Sequence, residues 1–359
     1  MRVLVDGRSL VDASAFRGLG TYLREVLAGL GRTEGVEATA LVAGRPALPP
    51  GVRRAAAVRV APGRWATREH DLLLPVDLRR VGADVVWTPA MDLPRRVRQP
   101  WVHTLHDVLP ALGDGPEREA WLRRTRRARH ADALLTGSAW AAAAAVEHVG
   151  VDPARVTVVP HGVAPRFRPA AGARSPAQPY VLLVGEYDPR KRHDHAFAAV
   201  GALADAGLPH VLQVTGRIAP WYAATMAGLV AAAPHPERVV LRGHVPLEEL
   251  VRLYQGADAV LLTSAGEGFG LPAVEAMACG APVVAYDNTA TGEVVADGGV
   301  LVPDGDLDAL CAALRGVVED AAQRAAVSAR AVRRAGAFSW EASVAGHVAV
   351  LRRAAGLAA

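Results

Sequence analysis

One stretch restricts the fold of this chain more than any other: Thr263-Ser264-Ala265-Gly266-Glu267-Gly268-Phe269-Gly270-Leu271-Pro272-Ala273-Val274-Glu275-Ala276-Met277-Ala278-Cys279-Gly280. The apolar run Ala259 to Leu262 ahead of it reads as a buried strand, and a glycine-studded turn follows. Pro272 suits a first helical position, where its fixed φ fits and its missing N–H costs nothing. Gly280 ends the helix, Pro282 bars its continuation, and Val283-Val284-Ala285 opens the next strand.

Gly268 and Gly270 let the backbone approach a ligand closely, and the amides of Gly268, Phe269, Gly270 and Leu271 at a helix mouth favour an anion. Two carboxylates bracket that site, Glu267 in the loop and Glu275 in the helix. If phosphate were the only ligand, acidic side chains would be out of place there. They fit if they accept hydrogen bonds from hydroxyls on either side of it, a sugar beyond the phosphate and a ribose before it. The pattern points to a nucleotide-sugar.

Glu-x7-Glu within EGFGLPAVEAMACGAPVV resembles the donor-site signature of retaining glycosyltransferases of family 4, the group 1 enzymes. The resemblance implies an α/β chain of GT-B fold, two Rossmann-like doubly wound domains facing across a cleft. It implies an acceptor-side domain over residues 1–170, a nucleotide-sugar domain over 171–337, and a C-terminal helix, 338–359, packing back on the first domain. It covers nearly the whole chain, most strongly 180–345 and least 40–100.

A length of 359 residues is long for one core, which agrees with two domains. The N-terminus opens on the strand pattern Arg2-Val3-Leu4-Val5 without a signal-peptide profile, and no apolar run approaches the roughly 20 residues that span a bilayer. Cys279 and Cys311 lack metal spacing and read as reduced core residues, so a cytoplasmic location is expected, with contact to the inner membrane face left open. Charge is uneven: residues 1–170 hold 25 Arg against 17 acidic residues, net +8, and the remainder is net −4. A basic first half suits an anionic acceptor or membrane surface, and no nucleic-acid motif accompanies it. Of 40 basic residues 39 are arginine. The single lysine, Lys191, reads either as a place where a compact ammonium is required or as the survival of one codon.

Along the chain, Arg2 to Asp6 is a strand, and Arg17-Gly18-Leu19-Gly20-Thr21-Tyr22 opens a helix to about Leu30. Gly18 and Gly20 could admit a diphosphate or an acceptor, or form a plain turn; a dozen residues from the strand, they are no dinucleotide fingerprint. In the family this first loop faces the donor. Val36–Val42, Ala55–Val60 and Val85–Trp87 read as strands, and Trp65–Arg80 as a helix. Trp101 to Val108 is a strand ending in polar residues, which places His106 and Asp107 at its carboxyl edge, where open α/β sheets bind ligands. The family's strand-His-Asp motif implies that His106 contacts the donor sugar; His103, on the opposite face, is structural. Glu117 to His130 is a basic helix that could meet anionic lipid or a phosphorylated acceptor, or be simply solvated.

Ala133 to Ser138 is a strand whose last residue, Ser138, reads first as the cap of the helix Ala139–Val149 and second as a donor contact. Val156–Val159 is the last strand before Pro160-His161-Gly162-Val163, similar to the family's Pro-Asn-Gly-Val turn with His for Asn. Ala170 to Pro179 is the linker. Tyr180 to Gly185 leads into Glu186-Tyr187-Asp188-Pro189-Arg190-Lys191-Arg192-His193 and a helix to about Asp205. This resembles the family's diphosphate-gripping segment, with Arg190 and Lys191 neutralising the leaving group and Glu186 standing where some relatives carry a base. Arg-Lys-Arg at a helix N-terminus opposes the dipole, which favours a bound anion. His210–Thr215 and Val239–Gly243 are strands, and Gly243-His244-Val245 is similar to the family's base-contacting turn. Leu247 to Gln255 is a helix. Asp304-Gly305-Asp306 reads as turn and N-cap rather than a metal motif, and Ser339 caps the final helix.

Together these features imply a metal-independent retaining transferase needing no cofactor beyond a nucleoside-diphosphate sugar, with a sugar, lipid-linked or natural-product acceptor. His106, Glu267, Arg190 and Lys191 would be catalytic. Gly18, Gly20, Gly185, Gly243, His244, Val245, Gly268 to Leu271 and Glu275 would bind the donor. The rivals are a sugar-nucleotide epimerase or phosphorylase of the same fold, and an inactive nucleotide-sugar-binding protein.

Overall fold

The computed structural model describes residues 1–11, 18–42, 44–56, 80–89, 93, 97–172 and 178–358. The chain divides into two compact units, Met1–Gly162 with Ser339–Ala359, and Val163–Phe338. The division comes ahead of the expected 170/171 boundary because Val163 donates its amide to the Phe338 carbonyl (3.2 Å) and Phe167 packs edge-on against Tyr254. Of the expected linker, 173–177 lie outside the described residues, as do Arg17, 57–60 of the strand expected to reach Val60 and 65–79 of the helix expected over 65–80.

Unit 1 carries a parallel sheet in the order β3-β2-β1-β4-β5-β6-β7: β1 Arg2–Asp6, β2 Glu37–Val42, β3 Arg53–Ala56, β4 Val85–Thr88, β5 Trp101–Thr104, β6 Ala133–Thr136 and β7 Val156–Val158. Unit 2 carries a second, in the order β10-β9-β8-β11-β12-β13: β8 Tyr180–Val184, β9 Val211–Thr215, β10 Val239–Gly243, β11 Ala259–Leu262, β12 Val283–Asp287 and β13 Val300–Pro303. Strands covered on both faces have no polar side to alternate with, so they read as unbroken apolar runs. Val181, Leu182, Ala259, Val260 and Leu261 accordingly have no solvent exposure.

In both sheets the strand order reverses once, between β1 and β4 and between β8 and β11. Crossovers leave in opposite directions at such a point, and the loops beyond the carboxyl ends part to leave a crevice. Pairing of Ala259 with Val181 and Val260 with Leu182 sets the turn after Val184 beside the turn after Leu262. These are the two turns that carry Lys191 and Glu267.

Helices α1 (Gly18–Arg32), α2 (Pro116–Thr125), α3 (Ala139–Ala144) and α11 (Trp340–Ala354) belong to unit 1. The last returns against α1 through missing side chains: a Cβ on Gly29 would lie 2.2 Å from Val344 Cγ2, and one on Gly162 would lie 2.2 Å from the Trp340 nitrogen. Ser339 caps α11 by accepting the Ala342 amide (3.0 Å). Three local expectations differ. The strand at Trp101 stops at Thr104, so His106 sits in the turn beyond it. The helix from Ala139 changes at Ala145 into one π turn, closed by Gly150 at φ 75°. The basic helix is likewise two pieces, α2 and a 3₁₀ stretch over Arg126–His130. Among the described residues no helix is long and apolar enough to cross a membrane.

Candidate active site

Beyond β8 the chain makes a 3₁₀ turn, Pro189–Lys191, before α4 (His193–Asp205). Asp188 starts the turn, its carboxylate accepting the Arg190 amide at 2.9 Å. The turn is tied to the β11 loop by backbone and side chain: Ala265 donates to the Arg190 carbonyl (2.7 Å), and the Thr263 hydroxyl to that of Lys191 (2.6 Å). Gly185 leaves room for the lysine stem, since a Cβ there would come within 3.0 Å of Lys191 Cε. Lys191 Nζ lands 2.6 Å from Glu267 Oε1, and Arg190 Nη1 lies 3.6 Å from Oε2 while donating to the Gly266 carbonyl at 3.0 Å.

The resulting cluster is charged and enclosed, with Lys191 and Glu267 side chains 12% and 17% exposed. Burial favours the neutral acid, but Lys191 and Arg190 outweigh it and hold the Glu267 carboxyl below its ordinary value. Arg190-Lys191-Arg192 also stand differently from the expectation of cations in the first turn of a helix. They precede the helix, and internal carboxylates meet them: Glu267 for the first two, Asp304 for Arg192 at 2.6 Å.

The loop then enters α7 (Leu271–Ala278) through Gly270 at φ 94°, a left-handed conformation that favours glycine. Leu271 rather than Pro272 is the first helical residue, and Pro272 occupies the second position. No side chain caps this N-terminus. The far end closes as a Schellman motif: Gly280, φ 75°, donates to Met277, and Ala281 to Ala276, both at 3.0 Å. Phe269 turns inward, 5% exposed and edge-on to Phe338, so its backbone faces the loop while its ring belongs to the core.

Glu275 sits on the second turn of α7, where Tyr254 of α6 (Leu247–Gly256) donates its hydroxyl to Oε2 at 3.0 Å. Burial pushes the Glu275 carboxyl up to about 7, against the lowering effect of that hydrogen bond. Glu267 and Glu275 are thus two acids in opposite states, one ionised by cations and one poised near neutrality. Burial also raises the Cys279 thiol to about 12, with Glu275 adding to the effect.

At the end of β10, Gly243 turns at φ 65° and its carbonyl accepts both the Gly216 amide and the Thr215 hydroxyl at 2.9 Å, leaving His244 exposed and Val245 half-buried. The Asp304-Gly305-Asp306 turn does what its composition indicated. Gly305 has φ 77°, Asp306 accepts the Ala309 amide at 2.9 Å, and Asp304 holds Arg192 and Asn288.

In unit 1 His106 lies at the carboxyl end of β5, its ring edge-on to Tyr22 at 4.4 Å and 5.6 Å from His161. Its Nε2 has no hydrogen-bond partner, and burial with neighbouring His161, His103 and His347 keeps its pKa well below the ordinary value. His103 is buried and bonded through Nδ1 to the Thr88 carbonyl at 2.6 Å, as its position on the other face required. Gly18 is the exposed first residue of α1, and Gly20 is buried within its first turn.

Sequence reasoning missed how Tyr22, Thr104, His161 and His347 join His106. The His347 Nδ1–H donates to the Ser343 carbonyl (2.7 Å), which leaves Nε2 to accept from the Tyr22 hydroxyl (2.5 Å). Thr104 then donates to Tyr22 (3.1 Å) and accepts from Trp87 Nε1 (2.9 Å). His161, set aside as a variant turn residue, is 6% exposed and stacked on Trp340. Only His-Gly at 161–162 hinted at this, because a glycine there permits the close approach of Trp340.

With the geometry established, likeness to known proteins is informative. The family profile described as glycosyltransferase family 4 matches residues 16–167, and that described as glycosyl transferases group 1 matches 167–334. The D-inositol 3-phosphate glycosyltransferase of Geodermatophilus obscurus is 35% identical over 285 residues, 71% of this chain and 62% of that one. The enzyme of the same name from Kineococcus radiotolerans is 32% identical over 300 residues, 71% of this chain and 66% of its own length. The chain thus matches just under two thirds of each of these relatives. In fold it is similar to sucrose-phosphate synthase from Thermosynechococcus elongatus (TM-score 0.85, 22% identity, 98% of both chains). It is also similar to Anabaena Alr3699/HepE in complex with UDP-glucose (TM-score 0.71, 18% identity, 99% of this chain and 98% of that one). The chain has the GT-B fold and belongs to glycosyltransferase family 4, group 1.

Proposed function

We propose that this chain is a retaining glycosyltransferase that moves a sugar from a nucleoside-diphosphate sugar to an acceptor hydroxyl without a metal ion. The observation that carries the reading is the Lys191 Nζ to Glu267 Oε1 contact of 2.6 Å beside the uncapped start of α7. An ammonium has three donors, and one is engaged by Glu267. Others remain for the diphosphate oxygens, with the Gly268 to Leu271 segment on the same phosphates. Arg190 adds charge as the leaving group departs. Glu267 accepts from the sugar and Glu275 from the ribose, its second oxygen fixed by Tyr254. Gly243, His244 and Val245 meet the base, Gly185 makes room for Lys191, and Gly18 and Gly20 take part in donor binding. His106, neutral throughout the physiological range, hydrogen-bonds the transferred sugar.

No carboxylate in this scheme attacks the sugar. Transfer on one face follows if the leaving phosphate takes the acceptor proton, which gives retention without a covalent intermediate. The HepE structure holds UDP-glucose, so a uridine donor is the first to offer. The relatives named for D-inositol 3-phosphate and the net charge of +8 over residues 1–170 make a phosphorylated polyol the first acceptor. Work in the cytoplasm, in reach of an anionic membrane face through residues 117–130, fits this reading.

The test is incubation with UDP-, GDP-, ADP- and dTDP-glucose and inositol phosphate, followed by mass spectrometry and assignment of the product's anomeric configuration. The expected result is a retained glycoside from one donor, lost roughly 10²–10³-fold in Lys191→Met. Inverted product, a trapped glycosyl-enzyme, or donor isomerised without acceptor would overturn it.

A further inference from the structure

Three non-glycine residues among those described have left-handed backbone: Arg192 (φ 45°), Thr289 (φ 43°) and Ala296 (φ 46°). The conformation is unfavourable for any Cβ and worst for a β-branched residue, so it persists only where its surroundings fix it. Glycine would relieve it. Two of the three spend that strain on placing a side chain against the loops of the charged site.

Thr289 begins α8 (Thr289–Val295). Its Oγ1 accepts the backbone N–H of Glu267 at 2.9 Å and donates to Asn288 Oδ1 at 3.3 Å, while the Ala290 amide reaches the Glu267 carbonyl at 3.3 Å. Asn288 Nδ2 donates to the Ser264 carbonyl (2.9 Å) and to Asp304 Oδ1 (2.7 Å). Asp304 takes the Arg192 guanidinium at 2.6 Å, and that guanidinium lies over the Tyr286 ring, 5.5 Å from its centre. Arg192 directly follows Lys191, and the ring closes through the Lys191–Glu267 contact. The circuit runs Lys191, Arg192, Asp304, Asn288, Thr289, Glu267.

We propose that Arg192 and Thr289 are positioning residues, whose left-handed backbone clamps the two loops so that Lys191 and Glu267 meet in one geometry. Neither touches the donor in this scheme; both act through their neighbours. The inference rests on the reading of Lys191 and Glu267 as donor-site groups, but the clamp itself can be measured without a donor. Lys191 is the chain's single lysine. Its acylation by sulfosuccinimidyl acetate, read on the 188–193 peptide released by Asp-N protease and apart from the Met1 amine, reports how firmly Glu267 holds it.

The variants are Thr289→Gly, which removes strain and hydroxyl together, Thr289→Ser, which keeps the hydroxyl, and Arg192→Gly. Each glycine variant is expected to melt at or above the wild-type temperature yet acylate Lys191 several-fold faster, with Thr289→Ser at the wild-type rate. Turnover of the donor that wild type accepts should fall on the order of 10- to 100-fold in kcat in the glycine variants, as misplaced reacting groups do. A merely structural role would lower melting temperature and activity together and leave acylation of the folded protein unchanged. That result, or wild-type acylation in both glycine variants, overturns the clamp. If wild type turns over no nucleotide-sugar, the proposed function fails while the acylation rates still decide this inference.

Discussion

The carboxyl ends of the two sheets solve the same problem with opposite chemistry. At β5 of unit 1 the polar groups are neutral imidazoles, a phenol and hydroxyls packed ring against ring, and burial holds His103, His161 and His347 at about 4, 3 and 4. At β8 and β11 of unit 2 the groups are fully charged, and Lys191 and Arg190 balance Glu267 within a strained backbone circuit. A neutral cluster needs only shape and the correct tautomer, and aromatic packing supplies both. An enclosed ion pair needs exact partners, because leaving one charge unmatched is far more costly than the pair is worth. Unit 1 can therefore hold its site by burial, while unit 2 must hold it by bonds between loops.

The sharpest way to break this contrast is acid. A base whose folded pKa lies below its unfolded value binds fewer protons when folded, so its contribution is complete above about 6.5 and lost as pH falls toward the folded value. For unit 1 that window runs from about 6.5 down to the values of 4 and 3 held by these histidines. In unit 2 burial holds His193 alone at about 4 with the same sign, whereas Glu275 has the opposite one. With a raised folded pKa of about 7, it adds stability as pH falls from 7 toward 4.5. Unit 1 should therefore open first. Among the described residues every tryptophan except Trp221 is in unit 1, so intrinsic fluorescence should change between pH 6 and 4 while amide exchange in β11 stays slow. Simultaneous loss of both units would remove the contrast.

A smaller effect isolates Glu275. Raising its pKa from 4.5 to about 7 costs about 3 kcal/mol once it is ionised, so Glu275→Gln should melt higher than wild type at pH 8.5 and equally at pH 4.5. The same variant should bind nucleoside diphosphate more weakly at pH 8.5, since an amide replaces the carboxylate proposed to accept from ribose. Unchanged melting at both values would mean the acid is not buried as described. The smallest effect lies in unit 1 away from its histidines. Ser138 Oγ accepts the Ala141 amide at 3.1 Å, and Ser138→Ala should cost about 1 kcal/mol in a denaturant titration with no change in turnover.

How much of this was legible in the sequence follows from distance along the chain. The α7 signature is local, and its strand, glycine entry, proline and Schellman glycine could each be named within one residue. The same holds for Ser138, Ser339 and the Asp304 turn, where a cap and the amide it satisfies are neighbours. Legibility stopped where partners are remote. Tyr22 meets His347 across 325 positions and Lys191 meets Glu267 across 76, separations at which composition says nothing about pairing. The dipole argument at Arg190-Lys191-Arg192 could not foresee their internal partners, because Glu267 and Asp304 lie 76 and 112 positions from Lys191 and Arg192. Thr289 gave no signal at all, since a β-branched residue in a conformation suited to glycine is visible only in φ.

The most direct measurement is calorimetric titration of UDP, GDP, ADP and dTDP into wild type and into Lys191→Met. The account predicts that at least one diphosphate binds the wild-type chain and that the variant binds it at least about tenfold more weakly, the loss of one charged hydrogen bond worth roughly 1.5–3 kcal/mol. Equal binding to both proteins, or no heat from any of the four with wild type, would contradict the claim that Lys191 and the mouth of α7 hold a diphosphate.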